Sequence, residues 1–285
     1  MKRHRIVTLF SLLLMCLLSG CFQVERTVVV KPDGSAMVEE TFLMSKKALQ
    51  AMSEAFGEKG SAKQPDDDFG LEDPKKLKAA ASSMGEGVSF VRSEKISSEQ
   101  FAGYKAFYSV ADINKLTLSS APPKVNGKQE KADPSRAARF VFTPGDTATL
   151  QISSPRPPTA KKAAEKTVTD GKLKNSDSVA KPESKPQPPA GGKDMEMLRQ
   201  FFEGMRFALS VRVEGEIVET NATHREGETV VLADIDFGKL LSIAPDELAK
   251  LSNAQNGDMQ QAMEMLKHLP GVKVDLNEQI RIRFR

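Results

Sequence analysis

The chain has 285 residues, with 41 Lys and Arg against 38 Asp and Glu, a formal net charge of +3. Three of the basic residues (Lys2, Arg3 and Arg5) and no acidic one lie in positions 1–20, so the remainder is balanced at 38 of each sign. That balance excludes a charge-driven nucleic-acid partner. Both cysteines, Cys16 and Cys21, fall within the first 21 residues, which leaves no later thiol for a disulfide, a zinc site or a nucleophile.

The basic head is followed by an apolar run from Ile6 to Leu18, broken by Thr8 and Ser11. It is too short to span a bilayer, which needs about 20 apolar residues, and has the length of a secretory leader core. It ends in Leu18-Ser19-Gly20-Cys21. This resembles the lipobox of bacterial lipoproteins: an aliphatic residue, two small residues that fit a protease cleft, then cysteine. The resemblance implies removal of residues 1–20 by a cut between Gly20 and Cys21. It also implies a diacylglyceryl group on the Cys21 thiol and an acyl chain such as palmitate on the freed amine. The expected partner is therefore a membrane, reached through the N-terminal lipid. Phe22 rather than Asp after the cysteine implies delivery to the outer membrane, facing the periplasm, in a cell that has one.

In the first mature part, residues 21–154, Phe22, Val24, Val28 and Val30 alternate with Gln23, Glu25 and Thr27, a strand period. Pro32-Asp33-Gly34-Ser35 supplies turn residues, and Met37 to Leu43 returns as the second arm of a hairpin. A tether after Cys21 is almost absent. Ser45 is placed to cap a helix bearing Leu49, Met52 and Phe56. Asp73-Pro74 starts a second one, with Leu77, Ala80, Ala81 and Met84 at helical spacing. Asp66, Asp67 and Asp68 between them read as a solvated loop, because calcium loops space their ligands. Strands follow at 88–94 and 101–110, a helical turn at 112–116, a polar loop, and a hairpin of 139–143 with 147–152 about Pro144-Gly145-Asp146.

Residues 155–193 hold seven prolines, eight lysines and no aromatic residue, with a charge of +5. Such a segment cannot bury enough to offset its chain entropy, and it reads as a disordered Lys/Pro-rich linker. The second part, residues 194–285, opens with an amphipathic stripe of Leu198, Phe201, Phe202 and Met205. One strand is expected from Phe207 through Ile217, with 229–235 pairing back across a turn near Glu226-Gly227. Short helices are expected at 237–242, 245–251 and 258–269. A closing strand alternates Ile280, Ile282 and Phe284 with arginines.

Catalytic signatures are wanting. Asp236-Phe237-Gly238 lacks the glycine-rich loop and catalytic loop that give this triplet meaning in kinases. His224 and His268 have no carboxylate at ligand spacing, so no catalytic residue, metal ligand or cofactor is assigned. The methionines cluster instead: Met195, Met197 and Met205 border one expected helix, and Met259, Met263 and Met265 another. Flexible thioethers fill cores, and they also line adaptable apolar pockets.

Several stretches carry a resemblance. Cys21-Phe22-Gln23-Val24, the Lys-Pro-Asp-Gly turn, Gly103-Tyr104-Lys105-Ala106 and 111–116 do so in the first part. In the second, Val213 to Val218, Thr220-Asn221-Ala222-Thr223 and Leu269-Pro270-Gly271-Val272 do. Together they resemble an uncharacterised group of bacterial envelope lipoproteins, and the Gly-x-Ile-Val with Thr-Asn-Ala hairpin is similar to the LppM-type lipoprotein domain. The resemblance implies an α+β fold akin to lipid-binding folds and an association with envelope lipids. It transfers no active site.

The expected fold is thus α+β: a mainly antiparallel β-sheet with helices packed on one face, built jointly by 21–154 and 194–285 and interrupted by the linker. The expected function is non-enzymatic, namely binding lipid or another envelope component. Met195, Leu198, Phe201, Met205, Met259, Met263 and Leu266 would line an apolar site. The alternative is a structural or assembly lipoprotein with a protein partner.

Overall fold

The structure is a computed structural model that describes residues 22–50, 71–119, 137–153, 204–240, 242–243 and 268–285. Thirteen strands are described, in two sheets. In chain order they are β1 (Phe22–Val30), β2 (Ala36–Ser45), β3 (Val88–Ser97), β4 (Phe101–Val110), β5 (Thr117–Ser119), β6 (Ala137–Thr143) and β7 (Ala148–Ser153), then β8 (Arg206–Val213), β9 (Ile217–Thr220), β10 (Arg225–Glu226), β11 (Thr229–Asp236), β12 (Val272–Val274) and β13 (Gln279–Phe284). Helix α1 is Pro74–Met84, α2 is Phe237–Leu240, a 3₁₀ turn covers Ile113–Lys115, and residues 46–50 are helical.

The first hairpin forms as its residues dictate. Asp33 accepts hydrogen bonds from the Ser35 backbone N–H and hydroxyl, and the Gly34 N–H donates to the Lys31 carbonyl at 3.0 Å. Gly34 sits at φ +83° with the Phe142 ring so close that an added Cβ would lie 2.7 Å from it. The turn thus needs glycine both for its backbone and for its contact with β6. This turn sets the register from Phe22↔Met44 to Val30↔Ala36.

The larger sheet runs β10-β11-β8-β1-β2-β4-β3, with β12 also paired to β11; the smaller runs β5-β6-β7-β13-β9. Strands from before and after residues 155–193 meet in both. β8 lies parallel to β1 over Gln23↔Arg206 to Val30↔Val213, and β13 is antiparallel to β7. The β1–β8 pair departs from the antiparallel rule that holds elsewhere.

The larger sheet turns Val24, Val28, Val30, Val38, Phe42, Val211, Val213 and Val230 inward. The smaller turns in Phe140, Phe142, Leu150, Ile152, Ile280, Ile282 and Phe284. All belong to one contiguous core, joined by Leu77, Ala81 and Met84 of α1. Fully burying one such side chain is worth about 1.5–3 kcal/mol.

Of the expected mainly antiparallel β-sheet with helices on one face, the helices at 245–251 and 258–267 lie outside the described residues. The mainly β character stands, but a second sheet shares the core. Among the described residues α1 packs beside β3 and β5 rather than forming a helical layer. The expected strand through Ile217 is also two strands. At Glu214-Gly215-Glu216 the chain leaves the larger sheet and enters the smaller. Gly215 has φ +141°, and a Cβ there would lie 2.4 Å from the Arg285 carbonyl oxygen.

Caps behave as the sequence indicates. The Ser45 hydroxyl accepts from the Ala48 N–H at 3.1 Å, and the Asp73 carboxylate accepts from the Lys75 N–H at 2.8 Å with Pro74 at the first helical position.

Candidate functional site

Of the residues singled out from the sequence, Gly20, Cys21, Met195, Leu198, Phe201, Met259, Met263 and Leu266 lie outside the described residues, as does the Lys/Pro-rich segment 155–193. Met205 is described. It is half-buried immediately before β8, and its carbonyl accepts from the Phe237 N–H at 3.0 Å.

Two features of the described fold bear on that end of the molecule. β1 begins at Phe22, the residue after Cys21, and lies within the larger sheet between β2 and β8. The chain also returns to that end after both methionine stripes. Met205 precedes Arg206, the partner of Gln23, while Val272 pairs with Ile235, which itself pairs with Phe207.

The inner face of the larger sheet carries a charged cluster that the sequence reading overlooked. Arg26 is 6 % exposed and Glu40 1 % exposed, and the guanidinium Nε donates to Glu40 Oε2 at 2.6 Å. Tyr104 donates its hydroxyl to Glu40 Oε1 at 3.2 Å. Tyr108, fully buried, has a hydroxyl with no hydrogen-bond partner among the described residues. Register brings the four together: Arg26 faces Glu40 across β1–β2, Glu40 faces Ala106 across β2–β4, and the tyrosines lie on β4 two residues either side of Ala106. Burial first, and the Glu40 carboxylate second, push both phenols far above the ordinary tyrosine range, so both stay neutral. The phase of the hairpin carries the missing signal. Arg26 falls in step with Val24 and Val28, and Glu40 with Val38 and Phe42, so opposite charges sit in phase with buried positions on both arms.

The outer face of the same sheet is polar and laddered. Arg206 bonds Glu25 at 2.6 Å and Asp234 at 2.9 Å, Glu39 meets both Lys105 and Arg212, and Thr27 pairs with Ser210. These pairs are solvated and worth at most about 1 kcal/mol each. Arg92 and Lys105 also stand over the Phe107 ring, at 3.8 Å and 5.0 Å from its centroid.

A shallow recess of about 230 Å³ lies at the β9–β13 edge, lined by Glu219, Thr220, Asn221, Gln279 and Arg281. Its lining is polar and lacks the apolar walls of a typical small-molecule site. Beside it Asp275, buried, accepts from the Thr223 and Asn277 N–H groups and from the Asn277 amide. These bonds tie the loop before β13 to the loop after β9. Asn221 donates from its amide to the Gln279 carbonyl and accepts from the Arg281 N–H. Among the described residues no group of three or more His, Cys, Asp or Glu could hold a metal ion, and no helix is long and apolar enough to cross a membrane.

No protein-family profile matches the chain, and no curated protein matches it. Among solved structures, the chain is similar to the folded domain of the Mycobacterium tuberculosis protein LppM, determined by NMR. The identity is 11 %, the match covers 94 % of this chain and 91 % of that one, and the TM-score is 0.32.

Proposed function

We propose that this chain is a lipid-anchored lipoprotein of the bacterial envelope, held by acyl groups on Cys21, whose folded body binds an acyl chain and performs no catalysis. The observation that supports it best is the start of β1 at Phe22, one residue beyond the lipobox cysteine. A lipid on Cys21 then holds the end of the larger sheet at the bilayer with no tether between them. Met205, which ends the first methionine-rich stripe, and Val272, which follows the second, lie at that same end. An apolar site lined by Met195, Leu198, Phe201, Met205, Met259, Met263 and Leu266 would therefore open where membrane lipid is available. Two or more acyl chains give stable anchoring, at about 0.8 kcal/mol per buried CH₂. Phe22 in place of Asp favours the outer membrane, on its periplasmic side.

Two measurements test the two parts. Cys21→Ser should leave the precursor uncut and free of lipid; a wild-type protein recovered soluble with an unmodified amino terminus ends the anchor reading. A chain of Phe22 to Arg285 should bind a fluorescent fatty acid saturably. Folded protein with no saturable binding ends the acyl-site reading and leaves the anchor standing.

One observation favours the alternative, an assembly lipoprotein with a protein partner. β3 is a ten-residue strand at the edge of the larger sheet, paired only to β4 among the described residues, with Val91 half exposed. An edge of that length can accept a strand from another chain.

A further inference from the structure

We infer that the end of the larger sheet where β1 begins is a membrane-docking rim that lies against an anionic phospholipid headgroup layer. The inference rests on the anchor reading of Cys21. Strand register gathers the rim: Phe22 faces Met44, Ser45 faces Phe101, Gln23 faces Arg206, and Arg206 faces Asp236. Backbone bonds then tie the neighbouring turns to it. The Lys46 N–H donates to the Gln100 carbonyl at 2.9 Å, the Phe237 N–H to Met205 at 3.0 Å, and the Asp236 N–H to Gly271 at 2.8 Å. Gly204 lies against the Phe101 ring, where an added Cβ would sit 3.4 Å away. Consecutive Cα atoms are about 3.8 Å apart, so lipid on Cys21 enters the bilayer within one residue of this surface. The short reach from Cys21 to Phe22 makes this end of the sheet the one nearest the bilayer.

The chemistry of the rim suits that neighbour. Phe101, Met205, Phe237, Leu240 and Leu269 are half-buried there, and Lys47 and Lys239 are exposed. Apolar side chains can enter the boundary of headgroups and acyl chains, while lysine stems follow them and leave the ammonium groups at the phosphates. Lys239 also stands 3.4 Å from Asp236, and Glu99 is the exposed carboxylate of the β3–β4 turn. The opposite end of the sheet has the reverse character. Asp33, Glu86 and Glu214 are exposed there, near Asp112, and Lys115 is paired to Glu86 at 2.9 Å. That end is tied together by Ile113 to Gly34, Ala111 to Gly87 and Glu214 to Val30 backbone bonds. An anionic surface repels it. The charge gradient along the strands thus runs in the direction that the anchor requires.

The test uses the full lipidated protein in vesicles of phosphatidylethanolamine and phosphatidylglycerol, with one fluorophore per variant at Gln100→Cys, Pro270→Cys, Asp33→Cys or Glu86→Cys, and a headgroup-attached quencher in the lipid. The rim positions should be quenched several-fold more than Asp33 and Glu86, and Lys47→Glu/Lys239→Glu should shrink the contrast. Equal quenching at all four positions, or stronger quenching at Asp33, overturns the rim. The mass of the N-terminal peptide from the same sample separates the two failures. Lipidated Cys21 with uniform quenching removes the rim alone, whereas Cys21 without lipid removes the anchor and the rim together.

Discussion

The five-stranded sheet turns Phe140, Leu150, Ile152, Ile280, Ile282 and Phe284 into the core, with no ionisable side chain among them; the eight-stranded sheet, facing the same core, turns in Arg26, Glu40, Tyr104 and Tyr108 among its valines. The two faces therefore hold together by different physics. The smaller sheet depends on area and shape, so every lost atom leaves a cavity. The larger one depends on completeness. Two charges removed from water are tolerated because the 2.6 Å ion pair and the Tyr104 hydrogen bond meet them, and a partly dismantled set is worse than none. The asymmetry teaches that the larger sheet's interior is specified by pairing as well as by hydrophobicity.

That contrast can be broken first by truncation. Glu40→Ala removes the carboxylate that the buried Arg26 guanidinium meets at 2.6 Å and should cost about 3–5 kcal/mol in urea unfolding of the mature chain. Phe140→Ala should cost about the same, by cavity formation. The distinction appears in the second substitution. Arg26→Met added to Glu40→Leu should recover part of the loss, because an apolar pair of similar volume avoids desolvation, and Tyr104→Phe added to both should recover more by removing the hydroxyl that Glu40 accepts. Adding Ile282→Ala to Phe140→Ala should only deepen the deficit. If the Arg26/Glu40 double variant is as unstable as Glu40→Ala alone, removing both charges relieves no desolvation cost and the contrast between the sheets fails.

Alkali sharpens the same comparison. The folded-state pKa values of Tyr104 and Tyr108 lie above the unfolded value near 10, because burial and Glu40 disfavour the phenolate. Above pH 10 the unfolded chain releases protons that the folded chain retains, so stability falls as pH rises through that value; below it nothing is lost. From pH 10 to 11 the wild type should lose roughly 1 kcal/mol more per phenol than Tyr104→Phe/Tyr108→Phe. Equal slopes for the two chains would show that these hydroxyls are not kept neutral by the fold.

Much of this fold was legible where long periodic segments meet strong punctuation. The β1–β2 hairpin, β4 and the Asp73-Pro74 start of α1 follow from alternation, turn residues and capping chemistry. Short strands were not: β5 and β12 have three residues each and show no period, and β9 continues the apolar pattern of β8 although the backbone switches sheets at Gly215. The parallel β1–β8 pairing has no local signature, because its partners are brought together across the whole intervening chain. The candidate site was legible only as side-chain types. Met205 and the flanks of the two stripes are tied to the Cys21 end by strand register, which no window of sequence displays. Arg26 and Glu40 were visible in phase, but burial of a charge is improbable until its partner across the hairpin is counted.

The smallest expected effect distinguishes the two tyrosines. Tyr104 donates to the buried Glu40 carboxylate, and its ring stacks on Phe42 with centroids 5.7 Å apart. Tyr108 packs edge-on to Phe90, and its hydroxyl meets no acceptor among the described residues. Phenylalanine keeps both ring contacts and removes only the oxygen. Tyr104→Phe therefore takes a donor away from a buried charge and should cost about 1.5 kcal/mol or more. Tyr108→Phe removes a buried hydroxyl that has no partner among the described residues and should be neutral or stabilising by up to about 1 kcal/mol. Paired urea titrations with unchanged m-values check the order of the two. A loss for Tyr108→Phe as large as that for Tyr104→Phe would mean that the Tyr108 hydroxyl is satisfied in solution, by a water held between it and the Glu40 cluster.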